Sequence, residues 1–189
     1  MFNYKEADDK DLVIRFKNGD NRAFDEIYLR YNKKLNRLIY NYIYNSIDVE
    51  DVFHEVIIRV IRHIEKFNIS MNFSSWIYQI AINCSKNFLK SRTKEEYLQK
   101  KEKLRTRMDY TKQENLEEDF IKEIDMIEFN NAIDSLDEKF RDVFLLRYDH
   151  KLKYSEIANI LNCSERTAKW RMKRSIEKIT SFLRDKGIV

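Results

Sequence analysis

A chain of 189 residues with no Pro, only 2 Gly and 36% charged residues lacks the turn chemistry of β-sandwiches and barrels built on tight hairpins, so an all-helical protein is expected. The length is enough for one or two domains that bury a core without disulfide or metal staples. Lys and Arg number 36 against 32 Asp and Glu, a formal net charge of +4, so the overall balance does not identify a polyanion binder and local clustering has to carry any such case.

The first residues, Met-Phe-Asn-Tyr-Lys-Glu-Ala-Asp-Asp, carry acid where a secretory signal carries base, and no apolar run nears the length of a membrane span. A cytoplasmic protein without membrane insertion is expected. Cys84 and Cys163 have no metal-ligand spacing and read as reduced, semi-buried thiols. A short helix from Asp11 to about Lys17 ends at the stop signal Asn18-Gly19-Asp20. In the next helix Phe24, Ile27, Tyr28, Tyr31, Leu35, Leu38, Ile39 and Tyr42 recur at three and four residues, with Arg30, Lys33, Lys34 and Arg37 on the outer side. Asn45-Ser46 breaks it. Asp48 is then expected to cap a third helix with the apolar face Val49, Val52, Phe53, Val56, Ile57, Val60 and Ile64, its acidic start suiting the helix dipole.

The segment from Phe67 to Ser75 is polar and irregular, and Ser74 or Ser75 is expected to cap a fourth helix. That helix buries Trp76, Ile77, Ile80, Ala81, Cys84 and Phe88 and turns Gln79, Asn83, Lys86, Asn87 and Lys90 outward. Residues 1–92 thus read as a four-helix domain. Between 93 and 126 the apolar period fades, first into basic and then into acidic sequence, as in a charged linker. Residues 127–189 read as a second, smaller helical domain, opened by Ile127, Phe129, Ile133, Leu136, Phe140, Val143, Phe144, Leu146 and Tyr148.

This second domain ends in Tyr154 to Arg174, which reads as a helix-turn-helix. Ile157, Ala158 and Leu161 give its first helix an apolar edge, with small Ala158 allowing a close crossing. Asn162 tolerates the left-handed turn conformation, and Ser164 is placed to cap the second helix through the amide of Thr167. On that second helix Ala168, Met172, Ile176 and Ile179 form one side, and Arg166, Lys169, Trp170 and Lys173 the other. A cationic outer face is what phosphate contact and major-groove docking require.

Catalytic constellations are poorly supported. His54-Glu55 begins like a zinc-protease helix, but Ile58 stands where the second His would be needed. Gly19 and Gly187 are the only glycines, so there is no Gly-rich phosphate loop, and no Ser or Cys sits in a nucleophile setting. No cofactor and no metal is implied, and the chain is not expected to be an enzyme. From Phe67 to Arg92, by contrast, Phe73, Trp76 and Tyr78 interleave with Asn68, Asn72, Gln79, Asn83 and Lys86. Such a mixture stacks on unpaired bases, reads base edges and holds phosphates, although the phase of Trp76 makes it at least partly core.

Two runs carry a family resemblance. Asp48-Val-Glu-Asp-Val-Phe-His-Glu-Val-Ile-Ile-Arg-Val, with Phe73-Ser-Ser-Trp-Ile-Tyr-Gln-Ile-Ala-Ile-Asn83, resembles the first domain of the extracytoplasmic-function sigma factors. Leu136-Asp-Glu-Lys-Phe-Arg-Asp-Val-Phe-Leu-Leu-Arg-Tyr148 and the helix-turn-helix resemble their second. The resemblance implies an initiation factor that binds core RNA polymerase, recognises and melts promoter DNA, and is open to control by an anti-sigma factor or another recruiting protein. It implies polymerase contacts at Asp48, Asp51 and Glu55. Contacts to the melted strand fall at Asn68, Asn72, Phe73, Trp76, Gln79, Asn83 and Lys86, and contacts to the upstream element at Arg166, Thr167, Lys169, Trp170, Arg171, Lys173 and Arg174. The chain departs from the family pattern at His54, Asp137, Arg166 and Trp170. The last stands where a small residue is usual, which leaves open a thymine methyl or a protein partner as its contact.

Overall fold

The computed structural model describes residues 2–92 and 127–188, and the linker expected at 93–126 lies outside them. The described helices divide into two compact units, one before residue 93 and one after residue 126. Among the described residues there is no strand.

The first unit holds α1 (Asp9–Lys17), α2 (Asn21–Ile43), α3 (Ser46–His63) and α4 (Phe73–Ser91). α2 is its centre and packs against each of the other three. Its stripe Ala23, Ile27, Tyr31, Leu35, Leu38, Ile39 and Tyr42 is buried, as are Leu12 and Val13 of α1, Val49, Val52, Phe53, Val56 and Val60 of α3, and Ile77, Ala81 and Cys84 of α4. Each Val, Leu or Ile among them contributes about 1.5–3 kcal/mol relative to exposure, which is what holds helices of otherwise modest propensity together.

The helix starts differ from those expected. α1 begins at Asp9, because Asp8 accepts the amide of Asp11 at 2.8 Å. α3 is capped by Asn45, whose Oδ1 accepts from the Ile47 amide at 3.1 Å, so Asp48 lies inside the first turn. α4 is capped by Asn72, which accepts the Ser75 amide at 2.7 Å, and Ser74 and Ser75 fall within the helix. In each case a carboxylate or amide one to three residues upstream of the expected start satisfies an orphan N–H first.

In the second unit residues 127–134 are helical (α5), followed by α6 (Glu138–Phe144), a wide turn over Leu145–Asp149, α7 (Tyr154–Ile160) and α8 (Glu165–Asp185). α8 packs on both α6 and α7. Its buried stripe is Ala168, Met172, Ser175, Ile179 and Leu183. Ile176, expected in the core, is 49% exposed. Ser175 takes that place: its Oγ lies 2.9 Å from the carbonyl oxygen of Phe140, so a small hydroxyl residue brings α8 close to the α6 backbone.

Candidate nucleic-acid interface

The α7–α8 junction follows the expected chemistry. Asn162 has φ 48°, in the left-handed region, and the Thr167 amide donates to Ser164 Oγ at 3.0 Å. Ile157 and Ala158 are buried. The turn presents the first three turns of α8 outward, with Arg166, Lys169, Trp170, Lys173 and Arg174 exposed and Thr167 and Arg171 half-buried.

The cationic face is not uniform. Lys169 pairs with Glu165 at 2.7 Å, Arg174 with Glu177 at 2.8 Å, and Lys173 reaches Glu177 at 4.0 Å. Arg166 and Arg171 have no acidic partner among the described residues. They are therefore the charges on this face least compensated from within the chain.

In the first unit the loop between α3 and α4 meets the start of α1. A cleft of about 390 Å³ is lined there by Asp8, Asp9, Lys10, Val13, Phe67 and residues 69–74. Two anchors fix the loop. Lys17 donates to the carbonyl oxygen of Phe67 at 2.8 Å, and Asn68 Oδ1 accepts from both the amide and the hydroxyl of Ser70 at 3.0 and 2.8 Å. The Oδ1 atoms of Asn68 and Asn72 are thus used locally, and the amide N–H groups are what each has left to offer a ligand.

Phe73, expected to stack on an unpaired base, is 4% exposed. Its ring packs edge-on against Tyr31 at 5.7 Å and against Phe67 at 5.6 Å, so it supports the loop from beneath and is not open to a base in this conformation. The helical phase explains this, because Phe73 lies one turn before Ile77 on the core side. Trp76 packs on Phe67 at a tilt of 39° with centroids 4.8 Å apart but is only half-buried. From it Gln79, Asn83, Lys86 and Lys90 run along one face at spacings of three and four residues. Asn83 is exposed and Gln79 and Lys86 are half-buried. The result is a polar and basic stripe about 16 Å long with an aromatic ring at one end.

On α3 the three expected acidic contacts separate. Asp51 is exposed. Glu55 is half-buried and pairs with Arg59 at 2.6 Å, and this bond raises the Arg59 pKa further above its ordinary value. Asp48, expected to reach a partner, is 6% exposed and pairs with Arg92 at 2.8 Å, because the helix begins earlier than expected and turns this position inward. Sequence reasoning missed the apolar part of the same surface. Ile47, Ile58 and Ile61 are 71%, 43% and 45% exposed, sharing a face with Asp51, His54 and Arg62 at three- and four-residue spacing. Their signal was available: Ile58 and Ile61 are out of phase with the stripe Val49, Val52, Val56 and Val60.

Comparison with known proteins gives this geometry a family. The family model described as Sigma-70 region 2 matches residues 27–95, and that described as Sigma-70, region 4 matches residues 126–179. The chain is 30% identical over 181 residues to the ECF RNA polymerase sigma factor SigW of Bacillus subtilis, covering 93% of this chain and 97% of that one. It is 31% identical over 184 residues to the ECF RNA polymerase sigma-E factor of Escherichia coli, covering 90% and 92%. In fold it is similar to CnrH as solved in complex with the cytosolic domain of CnrY, with a TM-score of 0.70 at 18% identity over 94% of this chain and 97% of that one. With both regions present in this order and relatives matched over nearly their whole lengths, the chain belongs to the extracytoplasmic-function sigma factors, the initiation factors of bacterial RNA polymerase.

Proposed function

We propose that the chain binds core RNA polymerase, carries it to promoter DNA and opens the duplex, performing no catalysis itself and acting in the cytoplasm. The observation that carries this reading is the presence, in one chain, of two different nucleic-acid faces: the aromatic and polar stripe of α4 and the cationic α8 of a helix-turn-helix. The first suits unpaired bases and the second suits a duplex groove. A stand-alone duplex-binding regulator has no use for the first.

We assign residues 1–92 to polymerase binding and promoter melting, 93–126 to a linker and 127–189 to upstream recognition. Asp51 and Glu55, with Ile47, Ile58 and Ile61 beside them, are our candidates for docking on polymerase. Asn68, Asn72, Trp76, Gln79, Asn83 and Lys86 are candidates for holding the melted strand. Arg166, Thr167, Lys169, Trp170, Arg171, Lys173 and Arg174 are candidates for the upstream duplex. A protein that covers these faces and keeps the chain from polymerase is a further partner to expect. RpoE of Bartonella quintana has been solved with the anti-sigma factor NepR.

The test is run-off transcription on a genomic fragment library with core RNA polymerase, with and without the purified chain. Defined start sites that depend on the chain are expected. Their absence, with core binding also absent, would overturn the reading.

A further inference from the structure

Trp170 occupies an unusual position on α8. The buried stripe passes through Ala168 and Met172, and Trp170 is two residues from each. Two residues turn the helix by about 200°, so its Cα–Cβ bond leaves the middle of the outer face, between Arg166, Lys169, Lys173 and Arg174. The side chain is 49% exposed. One edge of the indole is held: its ring centroid lies 5.9 Å from that of Phe140, itself 6% exposed. The Arg174 guanidinium carbon lies 5.9 Å from the indole centroid. The ring therefore leans against α6 on one side and keeps about half of its surface open to solvent.

A partner that covers the exposed half of the ring removes apolar surface from water and gains by doing so. Its neighbours are cationic, so a polyanion is the surface they attract. The N-terminal residues of the second helix of a helix-turn-helix include those that reach base edges, and Trp170 lies in that part of α8. The apolar group on base edges in the major groove is the C5 methyl of thymine. We propose that Trp170 is a specificity-determining residue of α8, and that its indole seats against a thymine methyl in the upstream promoter duplex. This rests on the assignment of α8 to upstream recognition.

The experiment selects bound duplexes from a pool with a randomised upstream region, using holoenzyme reconstituted from the full chain and core RNA polymerase. The pool is synthesised once with thymidine and once with deoxyuridine, which keeps every hydrogen bond and removes only the methyl. Wild type should fix a thymine at one or two positions of its consensus, and the uracil pool should lose that preference by roughly threefold to tenfold, the effect of one buried methyl and its surroundings. Trp170→Ala should keep the rest of the consensus and be indifferent to the methyl. Trp170→Phe should retain part of it, which guards against a folding defect. A wild-type consensus that is the same in both pools overturns the proposal, as does a Trp170→Ala consensus with the thymine intact. If Trp170→Ala selects DNA as wild type does and only transcription falls, the ring serves a protein contact, and the proposal is again overturned. No enrichment by wild-type holoenzyme in either pool overturns the underlying assignment of α8 instead.

Discussion

Arg92 Nη2 lies 2.8 Å from Asp48 Oδ1, which ties the residue after α4 to the first turn of α3. The Asp48 side chain is 8% exposed and that of Arg92 27%, so the pair is too sheltered to be a screened surface bridge and too open to count as fully buried. Losing one partner of a buried pair costs about 3–5 kcal/mol. With Arg92 partly in water, about 1–3 kcal/mol is expected for Asp48→Asn. Urea unfolding of the full chain measures it, with Asp51→Asn as the contrast. Asp51→Asn should leave stability within about 0.5 kcal/mol and weaken polymerase binding. If Asp48→Asn unfolds like wild type and only loses polymerase, the carboxylate acts at the docking surface and not as a clamp.

This pair also marks the limit of what the residues alone could tell. The α2 stripe from Ile27 to Tyr42 and the Asn162–Ser164 turn were legible because periodicity and capping are local. The fate of Asp48 was not, since it depended on whether Asn45 or Asp48 satisfied the first free amides, and on Arg92 arriving from 44 residues away. The burial of Phe73 was hidden in the sequence for a related reason. Its neighbours in sequence are polar, and its place one turn before Ile77 on the core side follows only once Asn72, and not Ser74 or Ser75, starts the helix, which sets its ring against Tyr31 and Phe67. Ser175 takes the core place expected of Ile176 because the close crossing with α6 favours a small residue over a large one.

The α4 stripe gives a prediction about mechanism. Asn83→Ala should slow promoter opening by about tenfold while leaving polymerase affinity and helix content unchanged, because Asn83 is exposed and bonds to no core group among the described residues. Permanganate reactivity of unpaired thymines reports opening, and a fluorescence titration with core enzyme reports binding. Loss of polymerase affinity in step with opening would remove Asn83 from the melting site.

On α8 the uneven pairing of charges predicts unequal salt effects. Arg166→Ala and Arg171→Ala should each lower the slope of log affinity against log salt by about 0.9 for an upstream duplex, as loss of one phosphate contact does. Lys169→Ala should lower it less, because Glu165 already neutralises part of that charge. Glu177→Gln should strengthen duplex binding, since Arg174 and Lys173 both lean on that carboxylate. Equal slopes for all three cation variants would mean that the intrachain pairs dissolve on binding.

The last prediction concerns pH and the joint between α1 and α2. Tyr31 is 4% exposed and donates its hydroxyl to Asp9, which Arg30 also holds at 3.1 Å. Burial first, and the Asp9 carboxylate second, push the Tyr31 pKa well above its ordinary value. An unfolded tyrosine loses its proton near pH 10, whereas folded Tyr31 keeps it. Above that pH the unfolded chain binds fewer protons than the native one, so the stability due to Tyr31 is complete below pH 10 and falls as pH rises. The slope is about 1.4 kcal/mol per pH unit for one proton. Tyr31→Phe should therefore be less stable than wild type at pH 8, by about 1 kcal/mol for the lost hydrogen bond. The gap should close and then reverse between pH 10 and 11.5, when urea midpoints of the two proteins are compared at each pH. A gap that stays constant over that range would mean that Tyr31 titrates in the folded chain as it does in the unfolded one, and that the Asp9 bond does not hold the proton.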